Sequence, residues 1–303
     1  MNEPCLSTVS TASSAAPSTA SAWHGQLHLE FARRDDQTLL SHNYAQAPLK
    51  IQRPFYPEGQ DVCHSVMLHT AGGIVGGDRL SVQVTLHPQA QALVTTAAAA
   101  KLYRSNGKEA TQTIALSIAE GACLEWLPQE TIVFDGACYR QNLRVELAAN
   151  ATWLGWEITR LGRSARGETF NRGTWRSHTE VWQAGRLLWF DPQWIEGSGE
   201  MLESEHGLGG YPVIGSFAFI GQPVSKEWVE KARSLWVRSE TGSETGEVGV
   251  TRLMNGLLCR YRGHSTIEAR QWFIQVWHLL RLSCMGRSGC IPRVWQLSPE
   301  SLH

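Results

Sequence analysis

The chain lacks the marks of several protein classes. Its seven cysteines (Cys5, Cys63, Cys123, Cys138, Cys259, Cys284 and Cys290) are odd in number and include no Cys-x-x-Cys pair, which excludes a disulfide framework or a structural zinc site as its organising device. Cationic residues are not in excess. Lys and Arg number 27 against 28 Asp and Glu, the net charge is -1, and no run of Lys and Arg stands out. Nothing foreshadows the basic face that phosphate neutralisation demands, so nucleic acid is excluded as a partner. No stretch approaches the roughly 18 consecutive apolar residues of a membrane span. The first 21 residues are rich in Ser, Thr and Ala but have no Arg, no basic start and no continuous apolar core. They fail as a secretory or mitochondrial leader, read as a disordered tail, and leave the cytoplasm as the expected compartment. No Ser/His/Asp order and no carboxylate pair identifies a reaction, so an enzyme is not expected.

What is present is enough apolar material for a large core: 303 residues, of which 42% are hydrophobic and only 18% charged. Thirteen tryptophans are many for this length. Packing in the core and along sheet edges accounts for most of them, and exposed ones would mark a partner surface. From Trp23 to about Gly221 the pattern has period two. Leu80, Val82, Val84 and Leu86 fall in one phase and Ser81, Gln83 and Thr85 in the other; the alternation returns at Ile114, Leu116, Ile118 and at Leu143, Val145, Leu147. This is the signature of half-buried strands. Gly121, Gly136, Asn150, Gly162, Gly173 and Gly185 punctuate them as turn residues. A faint repeat, an aliphatic residue followed four positions on by Ala, recurs at Leu86/Ala90, Ile118/Ala122 and Leu147/Ala151, with spacings of 32 and 29 residues. A near-fixed interval between strands predicts stacked, solenoid-like turns, with a sandwich as the alternative.

The last third changes character. Ser225 is placed to cap a helix whose apolar face is Trp228, Val229, Ala232, Leu235 and Trp236. After a Gly/Ser/Glu-rich loop at 239–247 comes a hairpin, with Asn255-Gly256 as a type I′ turn between Val248–Met254 and Leu257–Arg262. Ser265 and Glu268 form a capping box for a second helix with the stripe Ala269, Trp272, Phe273, Val276, Trp277 and Leu280. The expectation is therefore a mainly β chain: a tail at 1–21, a large β-rich, stacked-sheet domain at 22–222, and a small α+β portion of two helices and a hairpin at 223–303.

Four stretches stand out chemically. The first holds Cys63, His64 and His69, then Gly72, Gly73, Gly76 and Gly77, then Asp78. On one strand Cys63 and His69 share a face and His64 takes the other, so a three-ligand site needs a bulge; packing competes with metal binding for all three. The glycines match neither phosphate-binding signature and fit a tight turn presenting Asp78. The second runs from Thr95 through Ala100 to Lys101, Tyr103, Arg104 and Ser105; the third holds Glu125, Glu130 and Asp135; the fourth holds Trp156, Glu157 and Arg163. Taken singly, each acid reads as a solvated or salt-bridged group.

Together these stretches resemble the UreD family of urease accessory proteins, called UreH in some organisms. The resemblance begins at Ala47-Pro-Leu-Lys-Ile-Gln-Arg-Pro-Phe-Tyr-Pro57 and continues through Cys63-His64, His69, Gly72-Gly-Ile-Val-Gly-Gly-Asp78, Thr95-Thr96 and Lys101-Leu-Tyr-Arg-Ser105. It ends with Glu125-Trp-Leu-Pro-Gln-Glu130, Gly155-Trp-Glu157, Leu161-Gly-Arg163, Gly286-Arg287 and Ile291-Pro-Arg-Val-Trp295. Each motif is weak alone; their order is specific. Ala71 departs from a frequent proline and Ala100 from a usual hydroxyl residue. The resemblance implies a cytoplasmic, non-enzymatic chaperone for nickel insertion into apo-urease, working with UreF and the GTPase UreG, commonly in a two-copy complex. It implies no permanently bound cofactor and only transient Ni(II), carried through an internal passage. Asp78 and Glu157, then Glu125, Glu130, Asp135 and Asp191, are the expected passage acids, with Cys63, His64 and His69 as the rival metal group. The alternatives are a pure scaffold joining UreF to urease without touching nickel, and a β-solenoid hydrolase with a carboxylate pair.

Overall fold

The computed structural model describes residues 22–163, 166–236 and 246–295; the expected tail at 1–21 and most of the loop at 239–247 lie outside them. The chain opens with strands β1 (His24–Arg34), β2 (Gln37–Gln46), β3 (Leu49–Ile51), β4 (Val62–His69), β5 (Arg79–Leu86), β6 (Gln91–Thr96) and β7 (Ala100–Leu102). It continues through β8 (Ala110–Ile118), β9 (Cys123–Trp126), β10 (Thr131–Val133), β11 (Cys138–Leu147), β12 (Thr152–Leu161), β13 (Thr174–Gln183) and β14 (Arg186–Glu196). The last part is α1 (Gly199–Glu203), β15 (Val213–Ile220), α2 (Lys226–Ser234), β16 (Glu247–Leu253), β17 (Gly256–Gly263) and α3 (Thr266–Met285).

The middle of the chain winds as a β-solenoid of about four turns. Along one face β1, β5, β8, β11 and β13 are parallel neighbours; along the other, β4, β6, β9 and β12 are. Parallel neighbours need a long crossover, and here each crossover is the opposite face of the same turn. A short third face is built from β7, β10 and the end of β12. The repeat visible in the sequence is this coil length. Phe31, Leu86, Ile118 and Leu147 stand in register as one buried ladder, and Leu29, Val84, Leu116 and Val145 form the next. Burying each such side chain stabilises the fold by roughly 1.5–3 kcal/mol.

The Ala half of the repeat lies at the corner after each ladder. Ala90 donates its N–H to the His87 carbonyl at 3.1 Å, Ala122 to Ala119 at 3.1 Å and Ala151 to Ala148 at 3.3 Å, and all three alanines are buried. The residue before each Ala has positive φ: Gln89 (61°), Gly121 (66°) and Asn150 (56°). All six residues expected to punctuate the strands have φ between 56° and 100°.

Antiparallel strands close the stack. β2 covers β1, β14 covers β13, and on the other face β12 is followed by β15, β17 and β16. The outer side of that last sheet carries a second core in which α3 packs Trp272, Phe273, Val276 and Trp277 against Trp156 and Phe217. Ser265 caps α3 through its hydroxyl, which accepts from Glu268 N–H at 3.2 Å, and the Tyr261 hydroxyl bridges Ser265 N–H and the Glu268 carboxylate. Seven of the thirteen tryptophans are buried, whereas Trp23 and Trp194 are exposed.

Two local expectations are corrected. Ser225 does precede α2, but its side chain makes no capping bond. The hairpin pairs Leu253 with Gly256, so its two-residue turn is Met254-Asn255, and neither Asn255 nor Gly256 has positive φ. Gly256 answers a different need: a Cβ there would lie 1.9 Å from the Phe219 carbonyl oxygen on β15. Close approach of two backbones, not turn geometry, requires the glycine.

Candidate functional site

The interior of the solenoid is not apolar throughout. At the register level where β5 places Leu80, the next four strands place Gln112, Gln141, Ser177 and Gln193. One level on, Val82, Ile114 and Leu143 give way to Thr179 and Asp191. On the opposite face Glu157, Ser216 and Arg260 are paired across β12, β15 and β17. The interior thus turns from hydrocarbon to oxygen and nitrogen along the stack.

These groups form two hydrogen-bonded clusters that wall the same cavity. The Tyr139 hydroxyl donates to Gln112 Oε1 at 2.7 Å. Gln141 Nε2 donates to Glu157 Oε1 at 3.2 Å and to Ser177 Oγ at 3.3 Å, and Ser177 Oγ donates to Glu157 Oε2 at 2.6 Å. Gln193 Nε2 donates to Asp191 Oδ2 at 2.9 Å and to Ser216 Oγ at 3.2 Å. Arg260 grips Asp191 with both terminal nitrogens, at 2.6 and 2.9 Å, and reaches Ser216 Oγ at 2.5 Å.

Open space follows the same line. A small cavity of about 90 Å³ is walled by Gln112, Gln141, Glu157, Thr179, Asp191 and Ser216, among others. It shares Met67, Thr96, Ala100 and Gln112 with a cavity of about 170 Å³ that reaches His69, Gly72 and Lys101. At its other end it shares Asp191 and Ser216 with an open cavity of about 660 Å³ that also touches Arg260, His206 and Glu247. Glu157 is enclosed by protein, and the surface it keeps faces the cavity. Burial therefore pushes its carboxyl up, to about 7, with Asp191 adding to the rise while Ser177, Arg260 and Gln141 oppose it.

The other expected acids lie elsewhere. Asp78 is buried and accepts the N–H groups of Trp23 (2.8 Å) and Val75 (2.9 Å), which ties the start of the first strand to the glycine turn. Asp135 accepts the backbone N–H groups of Asn171 and Arg172 at 3.0 and 2.9 Å and the guanidinium groups of Arg172 and Arg104. Burial alone would raise it, but Arg172 and those N–H groups outweigh burial and hold its carboxyl below the usual range. Glu130 pairs with Arg270 of α3. Glu125 is buried under α3, where it accepts from Trp277 Nε1 and pairs with Arg281 at 3.3 Å.

The remaining motif residues build the third face. A Cβ on Gly73 would meet Tyr103 and the Lys101 carbonyl at 2.4 and 2.6 Å, and one on Gly76 would meet Ser105 Oγ at 2.3 Å, so the Gly72–Gly77 turn lies flat on the strand holding Lys101 and on Tyr103–Ser105. Tyr103 packs edge-on against Phe134 (4.9 Å between centroids), and the Arg163 guanidinium lies over the same Phe134 ring, 4.4 Å from its centre, which makes one cluster. Arg104 continues it through Asp135. Lys101 is exposed. Cys63 faces the core, His64 bonds Glu58 at 2.6 Å on the other side of β4, and His69 Nδ1 contacts the Ala71 carbonyl at 3.0 Å. Among the described residues no three His, Cys, Asp or Glu side chains converge as a metal cage.

The family model for UreD urease accessory proteins matches residues 24–296. The chain is 62% identical to the urease accessory protein UreD of Nostoc punctiforme over 278 residues, covering 92% of this chain and 98% of the relative. It belongs to the UreD family. The likeness to the UreD protein of Dechloromonas aromatica is 41% over 283 residues, 92% of this chain and 96% of that one. Its role is that of a urease accessory protein, and the family is named for assistance to an enzyme and not for a reaction. No helix among the described residues is long and apolar enough to cross a membrane.

The interior polar groups Gln112, Gln141, Ser177, Gln193, Ser216 and Arg260 were not singled out by sequence motifs, although they make up most of the two clusters. A signal exists in the alternation itself: Gln112, Gln141 and Ser177 occupy the inward phase of strands whose other inward residues are largely apolar.

Proposed function

We propose that the chain is a non-catalytic chaperone for nickel insertion into apo-urease, acting in the cytoplasm with UreF and the GTPase UreG in a two-copy assembly, and that Ni²⁺ crosses its interior past Glu157 and Asp191. The observation that supports this reading is the run of adjoining cavities walled by spaced oxygen donors instead of a closed cage. Nickel(II) accepts oxygen and nitrogen ligands. A conduit has to bind the ion well enough to admit it and weakly enough to let it go, and single carboxylates flanked by amides and hydroxyls meet that condition. Nickel is the cargo here; no resident cofactor is required.

Glu157→Gln and Asp191→Asn keep shape and hydrogen-bonding capacity while removing charge. Each is expected to lower activation of apo-urease at limiting nickel at least tenfold, with co-purification of UreF unchanged. Full activation by the double variant, in complexes of normal composition, would instead establish a scaffold that never touches the metal. Asp78→Ala distinguishes transport from folding: it is expected to act through stability, because Asp78 binds two backbone N–H groups and lies off the cavities.

A further inference from the structure

Arg260 stands where the small cavity beside Glu157 meets the wider, more open one. Asp191 and Ser216 wall both, and the Arg260 guanidinium bonds both residues from the open side. Two consequences follow from that position. Both oxygens of Asp191 are occupied, by a bidentate pairing that arginine alone among side chains makes in this fork geometry. A cation entering from the open cavity also meets the Arg260 positive charge before it reaches Asp191. Asp191 is therefore neutralised as the structure stands, and the wall between the two spaces is a cation.

We propose that Arg260 is a gate on this route: while its guanidinium holds Asp191, that end is closed to divalent cations, and a cation gains Asp191 only after the guanidinium leaves. The proposal rests on the reading that nickel crosses the interior. The side chain has somewhere to go. It is 40% exposed, and it borders the cavity of about 660 Å³. Glu247 on the wall of that cavity, now paired with Arg262 at 2.7 Å, offers an alternative carboxylate. Gln193, itself bonded to Ser216 Oγ, donates to Asp191 independently of Arg260, so release of Arg260 leaves a positioned carboxylate on the cavity wall. Arg260 is a positioning residue in this scheme and is not itself a ligand.

The test is a gain of binding. The full-length chain and its Arg260→Met, Arg260→Lys and Arg260→Met/Asp191→Asn variants are titrated with Ni²⁺ alone by calorimetry, with circular dichroism to confirm folding. Arg260→Met is expected to bind nickel at least tenfold more tightly than the unaltered chain, and the double variant is expected to lose that gain. Arg260→Lys, which keeps one charge but loses the fork, is expected to show a smaller gain and carries the same test if the Met variant does not fold. Nickel binding by the Met variant no tighter than by the unaltered chain, or a gain that survives Asp191→Asn, overturns the gate. The two readings fail separately: a silent Glu157→Gln in urease activation removes the route itself, whereas a blocked Glu157→Gln with unchanged binding in Arg260→Met removes only the gate.

Discussion

Glu157 gets its character from enclosure. Its carboxyl faces a cavity too small to solvate an anion fully, next to the Asp191 carboxylate, and its proton is held up to about pH 7. The folded chain therefore binds a proton that the unfolded chain releases near 4.5. The contribution of Glu157 to stability falls as pH rises from about 4.5 to about 7 and levels off above that, because there the unfolded state gains by ionising before the folded state does. Glu157→Gln removes this contribution and is expected to be more stable than the parent at pH 8 by about 1–3 kcal/mol. Urea denaturation at pH 5, 6, 7 and 8 checks this; equal pH dependence in both proteins would contradict it. Part of this was legible. The alternation sets Leu154, Trp156 and Ile158 on one side of β12 and Glu157 on the other, and the structure puts the first three under α3 and Glu157 in the interior. What could not be read was which acids have cationic partners. Asp135 meets Arg172, Glu125 meets Arg281 and Asp191 meets Arg260 across separations of 37 to 156 residues, and nothing local in a single sequence announces such pairs.

At the scale of elements, periodicity and the six positive-φ turns were legible in the sequence, whereas the turn of the β16–β17 hairpin was not. The ladders, the corner alanines and the α3 stripe follow from spacing, since each reports which side of a strand or helix is buried. The hairpin between β16 and β17 departs from its turn signal. Asn-Gly is a strong turn signal, yet Gly256 is the first residue of the return strand, fixed by its neighbour on β15. Gly256→Ala is accordingly a packing lesion. Its Cβ would press on a backbone carbonyl that has no rotamer to yield, and the cost is expected to be about 2–3 kcal/mol. Hydrogen exchange should show amide protection lost first along β16 and β17, while that of β5, β8 and β11 is kept.

The two halves of the molecule are joined by a buried charge cluster. Arg281, with no accessible surface, pairs with Glu58 at 2.7 Å and Glu125 at 3.3 Å, lies 5.0 Å from the Trp277 ring, and donates to the Ser288 carbonyl at 2.8 Å. His64 adds a bond to Glu58 at 2.6 Å, so β4, β9 and α3 meet at one point. Burial would raise Glu58, but His64 and Arg281 hold it below its ordinary range. Arg281→Met strands two carboxylates inside the protein and is expected to cost about 3–5 kcal/mol, most of it recovered when Glu58→Gln and Glu125→Gln are added. Thermal unfolding of the single and triple variants decides it; a harmless single variant would mean that α3 is held by its apolar stripe alone.

A pile of parallel coils has no intrinsic reason to stop, since each end offers a fresh row of amide donors and carbonyl acceptors to another copy. Here the parallel run on one face ends at β2 on one side and at β14 on the other, both running against the grain of the coils beneath them. Pro192 in the middle of β14 further interrupts the donors along that border. The chain thus borrows the architecture of a fibre, and the number of coils in it is set by where those two strands reverse.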